Sequence, residues 1–168
     1  MTPPRKILVL CTGNSARSIL AEYLLRHLGR GRFEVHSAGS KPTGRVNPFA
    51  VRVLRENYDL DADAARSKSW DELRATKFDF VITVCDNARE ACPVWPGAPV
   101  VAHWSSPDPA GVEGTDEQKL ASFVQVAAQI ARRAALFCAL PEEKLRDAAA
   151  VRAIGEQAKL ANESAMKR

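Results

Sequence analysis

No apolar run in this 168-residue chain approaches the roughly 20 residues needed to cross a bilayer. The opening segment, MTPPRK, lacks the apolar core of a secretion signal. Both absences predict a cytoplasmic protein that does not engage membranes. No dense basic block is present: Lys+Arg number 24 against Asp+Glu 20, a formal net charge of +4. That surplus suits an anionic ligand and is too small and too dispersed to argue for nucleic acid. There is no internal repeat and no low-complexity tract. Cysteine is scarce, with four residues, Cys11, Cys85, Cys92 and Cys138. None forms a Cys-x2-Cys knuckle, so a zinc site from Cys85, Cys92 and His103 is disfavoured and no metal is expected. A reducing compartment keeps such thiols free, and the question for each becomes its reactivity.

What is present reads as one globular α/β domain. Hydrophobic residues make up 46% and charged residues 26%, enough to bury a sizeable core. Four β-like runs stand out: 6–11 (KILVLC), 33–39 (FEVHSAG), 79–85 (DFVITVC) and 98–104 (APVVAHW). The first and third are continuous and apolar, as buried parallel strands should be. Helical segments lie between them. One places Ile19, Leu20, Tyr23, Leu24 and Leu28 on a common face and stops at Gly29. Another opens with Asn47 as N-cap and Pro48 at the first helical position. A long helix starts at Thr115 or Asp116. This alternation predicts a four-stranded parallel sheet flanked by helices. After Pro141 the composition turns to Ala, Lys, Arg and Glu, so residues 1–140 read as the domain and 141–168 as a helical or partly ordered extension.

The informative stretch is LCTGNSARS, ending at Ser18. Cys11 falls at the carboxyl end of the first strand, where open α/β sheets bind ligands. The small residues Thr12, Gly13, Asn14, Ser15 and Ala16 permit a loop whose N–H groups turn inward. A helix N-terminus follows directly, and together they cradle an oxyanion. That field is expected to lower the Cys11 pKa toward thiolate. Arg17, in the first helical turn, offers a planar fork to two oxygens of a tetrahedral anion. Ser18 is placed to donate a hydrogen bond to the sulfur.

This stretch resembles the phosphate-binding loop of the low-molecular-weight protein tyrosine phosphatases. Members of that family carry a downstream Asp-Pro general acid, and Asp108-Pro109 matches it. A carboxyl within reach of the leaving group is also what the chemistry needs. The segment VCDNAREACPVWPG adds Cys85 and Cys92. A phosphatase has no use for that pair, whereas arsenate reductases built on this fold require it. The resemblance is closest to the thioredoxin-coupled group and covers roughly residues 5–137, including His103-Trp104. It implies that Cys11 attacks arsenate, that Asp108 protonates the departing hydroxyl, and that Cys85 then attacks Cys11 to release arsenite. Cys92 next attacks Cys85, and thioredoxin reduces the Cys85–Cys92 disulfide; a glutaredoxin–glutathione or mycothiol route would use the same Cys11 chemistry. No cofactor and a monomeric chain are expected.

The cysteine spacing has a geometric consequence. A straight helix from Cys85 to Cys92 would hold their Cα atoms about 10.5 Å apart, whereas a disulfide needs roughly 4.4–6.8 Å. The segment must therefore refold on oxidation. The chain also departs from the family pattern. Ala16 stands where many relatives have a second loop cysteine. Some relatives bind potassium near residues matching Asn14 and Glu22, but Arg66 and Lys68 follow here and their charge can replace a cation. Ala110-Gly111 stands where phosphatases carry a tyrosine. Cys138 reads as a core residue and His103 as structural. The rival functions are a phosphatase acting on phosphotyrosine or small phosphoesters, and a non-enzymatic oxyanion or redox sensor.

Overall fold

A computed structural model describes residues 3–156. The elements in order are β1 (Arg5–Cys11), α1 (Arg17–Gly29), β2 (Phe33–Gly39), α2 (Pro48–Tyr58), β3 (Phe80–Thr83), α3 (Asp86–Ala91), β4 (Val100–His103), α4 (Asp116–Cys138) and α5 (Glu142–Leu145). Single 3-10 turns lie at Trp70–Leu73 and Pro109–Gly111. Residues 148–156 are again helical. The strands form one all-parallel sheet in the order β2-β1-β3-β4.

That order fixes the place of the chemistry. The crossover from β1 leads one way to β2, and the crossover from β3 leads the other way to β4. The carboxyl ends of β1 and β3 therefore lie side by side at the topological switch point. Leu10 pairs with Thr83, and the Val84 N–H donates to the Leu10 carbonyl at 3.0 Å. Cys11 and Cys85 leave the sheet as neighbours.

The sheet core is continuous, with Ile7, Leu8, Val9, Leu10, Val81 and Ile82 fully buried. Phe33, Phe80 and Phe137 pack ring to ring at centroid separations of 5.1–6.5 Å. Such tilted and edge-on contacts stabilise beyond the area they bury.

The third and fourth strands are shorter than the sequence predicts. Val84 and Cys85 leave the ladder because Cys85 is the extended N-cap of α3. Residues 98–99 stay outside β4 because Gly97 and Ala98 have positive φ and Pro99 has no N–H to donate. The expected face of α1 is also too narrow. Ala21 and Leu25 are buried as well, since α1 packs against both β2 and α4, while Tyr23 and Leu28 are half-buried. The helix closes on Arg30, which takes the left-handed conformation. Asn47 caps α2 through the Phe49 N–H, and Thr115 and Gln118 form a capping box on α4.

Beyond Pro141 the chain docks on the body. Leu145, Val151 and Ile154 are buried, and the Arg152 Nε donates to the Val101 carbonyl at 3.1 Å. A Cβ on Gly155 would stand 2.4 Å from the His103 carbonyl oxygen, so only glycine allows this approach. The predicted extension beyond residue 156 lies outside the described residues.

Candidate active site

The loop after Cys11 has its outer edge hydrogen-bonded and its inner edge free. Ser40, Lys41, Thr43 and Asn47 donate their N–H groups to the carbonyls of Cys11, Thr12, Gly13 and Ser15 at 2.9–3.2 Å. In a trans peptide the N–H points opposite its C=O, and no cis peptide occurs here. The N–H groups of Thr12, Gly13, Asn14 and Ala16 consequently face the cavity. Asn14 makes the turn at φ 47°. Gly39 lets the loop close, because a Cβ there would lie 2.4 Å from the Thr12 carbonyl oxygen. Unlike α2 and α4, α1 has no side-chain cap at its N-terminus. Its orphan N–H groups are left for a ligand, which is the physics of an anion site. The cradle has a volume of about 380 Å³, and Arg17, Asn87, Asp108 and Ala110 complete its wall. No aromatic side chain lines it.

Arg17 is 15% exposed at its side chain and its Nη1 donates to the Ser106 carbonyl at 2.9 Å. Its Nη2 stands 3.9 Å from Asp108 Oδ2. The other Asp108 oxygen, Oδ1, accepts from the Ala110 N–H at 3.0 Å. The backbone thus holds one carboxyl oxygen and leaves Oδ2 turned toward the guanidinium.

The two strand-end thiols are coupled. A hydrogen bond with Cys85, followed by burial, pushes the Cys11 thiol well above its usual value, against the pull of Arg17. Cys85 is lowered to about 5, first by the hydrogen bond from Cys11, with further donors in the Thr12 hydroxyl and the Ala88 N–H. Thr12 Oγ1 lies 3.3 Å and the Ala88 nitrogen 3.4 Å from Cys85 Sγ. Each thiol thus shifts the other, Cys85 raising Cys11 and Cys11 lowering Cys85. Arg17 and the Thr12 N–H pull Cys11 toward thiolate, as the loop is expected to do, while Cys85 and burial oppose them. The sequence cannot show that a second thiol competes for the same field.

Behind the loop, Asn14 is fully buried and acts as a staple. Its Nδ2 donates to Ser18 and Ser37, and its Oδ1 accepts from the Lys68 N–H, all at 2.8–2.9 Å. Ser18 Oγ accepts from Asn14 and keeps its own O–H to donate. Ser37 donates to Glu22 at 3.1 Å, and Glu22 also lies 3.9 Å from the Lys68 ammonium and 3.7 Å from Arg26. The acceptors that would hold potassium are already satisfied by protein donors and a lysine, so the residues here do not fit the ion. Arg66 is spent on Glu72 at the surface.

The cysteine pair brackets α3, with Cys85 as its N-cap and Cys92 as its C-cap. Cys92 is half-buried and its thiol is raised by burial. Val94, two residues on, is 95% exposed. Trp95 is buried, edge-on to Phe78 at 5.9 Å. His103 bridges Thr83 Oγ1 at 2.7 Å and Asp86 Oδ1 at 3.0 Å. Cys138 is half-buried rather than fully in the core, and burial lifts its pKa to about 11. Among the described residues no group of three or more His, Cys, Asp or Glu is placed to hold a metal, and no helix is long and apolar enough to cross a membrane. One residue the sequence reading passed over is Arg133, buried on α4 and bonded to the loop that carries Asp108. Its signal was a charge in the middle of an apolar stripe.

Geometry of this kind defines a class: thiol enzymes that hold a tetrahedral oxyanion above a cysteine at the end of a parallel strand. The chain belongs to the low molecular weight phosphotyrosine protein phosphatase family, which matches residues 6–148. An arsenate reductase of Halalkalibacterium halodurans is 40% identical over 132 residues, covering 78% of this chain and 93% of its own. A solved arsenate reductase in a phosphate-binding state superposes with a TM-score of 0.68 at 28% identity, over 80% of this chain and 97% of its own. A thioredoxin-dependent arsenate reductase of Corynebacterium glutamicum is 30% identical with a TM-score of 0.55, over 77% of this chain and 59% of its own.

Proposed function

We propose that this chain reduces arsenate to arsenite by a three-cysteine relay in a reducing cytoplasm, with thioredoxin as the electron donor. The observation that carries the reading is a second thiol beside the cradle: Cys85 leaves the strand next to that of Cys11 and its Sγ lies 3.3 Å from Thr12 Oγ1 of the loop, and a third thiol, Cys92, closes the same short helix. Hydrolysis of a phosphoester needs Cys11 and not the other two. The arsenate reductases among the relatives point the same way.

In this mechanism the loop N–H groups and Arg17 hold arsenate over Cys11. Cys11 attacks as its thiolate and displaces a hydroxyl, which leaves as water with the proton of Asp108 Oδ2. The Cys85 thiolate attacks the Cys11 sulfur. The As–S electron pair moves to arsenic, arsenite departs, and a Cys11–Cys85 disulfide forms. Cys92 attacks Cys85, which frees Cys11, and a dithiol donor reduces Cys85–Cys92. Each exchange needs a thiolate and an accessible sulfur. Between Cys85 and Cys92, α3 must unwind, because one turn and a half of helix keeps the sulfurs too far apart.

The test is arsenite production with thioredoxin, thioredoxin reductase and NADPH, comparing the parent with Cys85→Ser and Cys92→Ser. Multiple turnover in the parent, with both variants stopping after at most one event, supports the relay. A parent that stalls while hydrolysing p-nitrophenyl phosphate is regenerated by glutaredoxin and glutathione if the donor differs, and is a phosphatase if it is not.

A further inference from the structure

Arg133 breaks the pattern of its own helix. On α4 the buried residues Phe123, Val126, Ile130, Arg133 and Phe137 follow one another at spacings of three and four, the stripe that faces the core. Every other member is apolar. Arg133 is only 2% exposed; the Glu156 carboxylate acts on it by charge, but among the described residues none forms an ion pair with it. Among the described residues its Nε has no hydrogen-bond partner. Burying a guanidinium in this way costs several kcal/mol, whereas an apolar residue would pack there without that cost. Positions that break a local rule without a stabilising return tend to serve function.

The contacts that Arg133 does make converge on one loop. Its Nη1 donates to the Ser105 carbonyl at 2.7 Å and to the Ser106 hydroxyl at 3.3 Å. Ser106 Oγ donates in turn to the Trp104 carbonyl at 3.3 Å. The Ser106 carbonyl is the acceptor for Arg17 Nη1. Two residues later the same loop presents Asp108, and α4 packs against the 3-10 turn that Asp108 caps. Two guanidinium groups thus grip Ser106 from opposite sides, one in the cradle and one in the core.

We propose that Arg133 is a positioning residue for the reaction at Cys11. It fixes the Ser105–Ser106 backbone, and through it the Arg17 fork and the Asp108 carboxyl, in one arrangement over the oxyanion. The inference rests on Arg17 and Asp108 acting at Cys11 as proposed above. A flexible 105–108 loop would leave both groups present and misaligned, and displacements near 1 Å can cost about 100-fold in rate.

The test is a double-mutant cycle on the first step. Single-turnover loss of thiols with saturating arsenate is measured for the parent, Arg133→Met, Asp108→Asn and the double variant, with thermal unfolding recorded for each. Arg133→Met is expected to slow the step by about 10- to 100-fold in the parent background, and by about 2-fold or less once Asp108 is already lost. Equal slowing in both backgrounds, or none in either, overturns the inference, because a merely structural role would not depend on Asp108. If Arg133→Met does not fold, Ser106→Ala removes the hydroxyl that accepts from Arg133 and donates to the Trp104 carbonyl, and it should show the same dependence on Asp108, with a loss of about 3-fold. If arsenate consumes no thiol in the parent, the reductase reading fails, and the same cycle is read on p-nitrophenyl phosphate hydrolysis. A parent inert toward both substrates overturns both proposals.

Discussion

Removing either thiol of the coupled pair should move the other in opposite directions. In Cys11→Ala the thiol that donates to Cys85 is gone, and that hydrogen bond is the largest cause of the low Cys85 pKa. Hydrogen bonds to a charged group contribute about 1.5–3 kcal/mol, and 1.36 kcal/mol corresponds to one pH step. Cys85 should therefore climb from about 5 to roughly 6 or 7, where Thr12 and Ala88 still hold it below an ordinary thiol. In Cys85→Ala the strongest influence raising Cys11 disappears, and Arg17 and the Thr12 N–H remain to lower it. Cys11 should then titrate below its value in the parent. The assay is thiolate ultraviolet absorbance against pH, in a background of Cys92→Ser and Cys138→Ser so that only two sulfurs report. Alanine is used because serine could still donate. A Cys85 titration unchanged by Cys11→Ala would refute the coupling of the two thiols and return the control of Cys85 to α3 alone.

Other consequences are local. Lys68→Met leaves Glu22 with only Arg26 as a charged neighbour and should lower stability by about 1–2 kcal/mol, less than a fully broken buried pair. Potassium but not sodium should restore part of it in urea unfolding, and identical curves in both salts would show that the lysine does not stand in for a cation. Gly155→Ala drives a methyl against the His103 carbonyl and should lift residues 148–156 off β4 at a cost of about 1–3 kcal/mol. Hydrogen exchange should quicken across 148–156 while the β1 amides stay protected. Cys138, held up at about 11, should resist alkylation at neutral pH, and Cys138→Ser should turn over as the parent does.

The parts of the fold carried by local pattern were legible in the sequence. The apolar runs of β1 and β3, the Asn47-Pro48 start and the Thr115 cap each act through neighbours within a few residues, so spacing was enough. The cradle was legible for the same reason: loop, helix start and Arg17 are contiguous. What depended on distant partners was not. The coupling of Cys11 and Cys85 arises because β1 and β3 meet at the switch point, 73 residues apart for the Thr12–Cys85 contact. The staple from Asn14 to Lys68 spans 54 residues. Arg133 could have been noticed as a charge in an apolar stripe, yet its partners at Ser105 and Ser106 appear only once α4 is folded against their loop.

The coupling of the two thiols also bears on the order of the relay. A thiolate with a pKa near 5 is fully ionised at pH 7 and a weak nucleophile, since nucleophilicity falls with basicity. Cys85 has that character only while Cys11 carries its proton. In the proposed relay, once Cys11 is bonded to arsenic it has no S–H to donate, and the largest influence lowering Cys85 is gone. Cys85 then becomes more basic at the step in which it must attack. In the proposed relay the adduct on Cys11 thereby makes Cys85 the more basic and stronger nucleophile at the step that needs it.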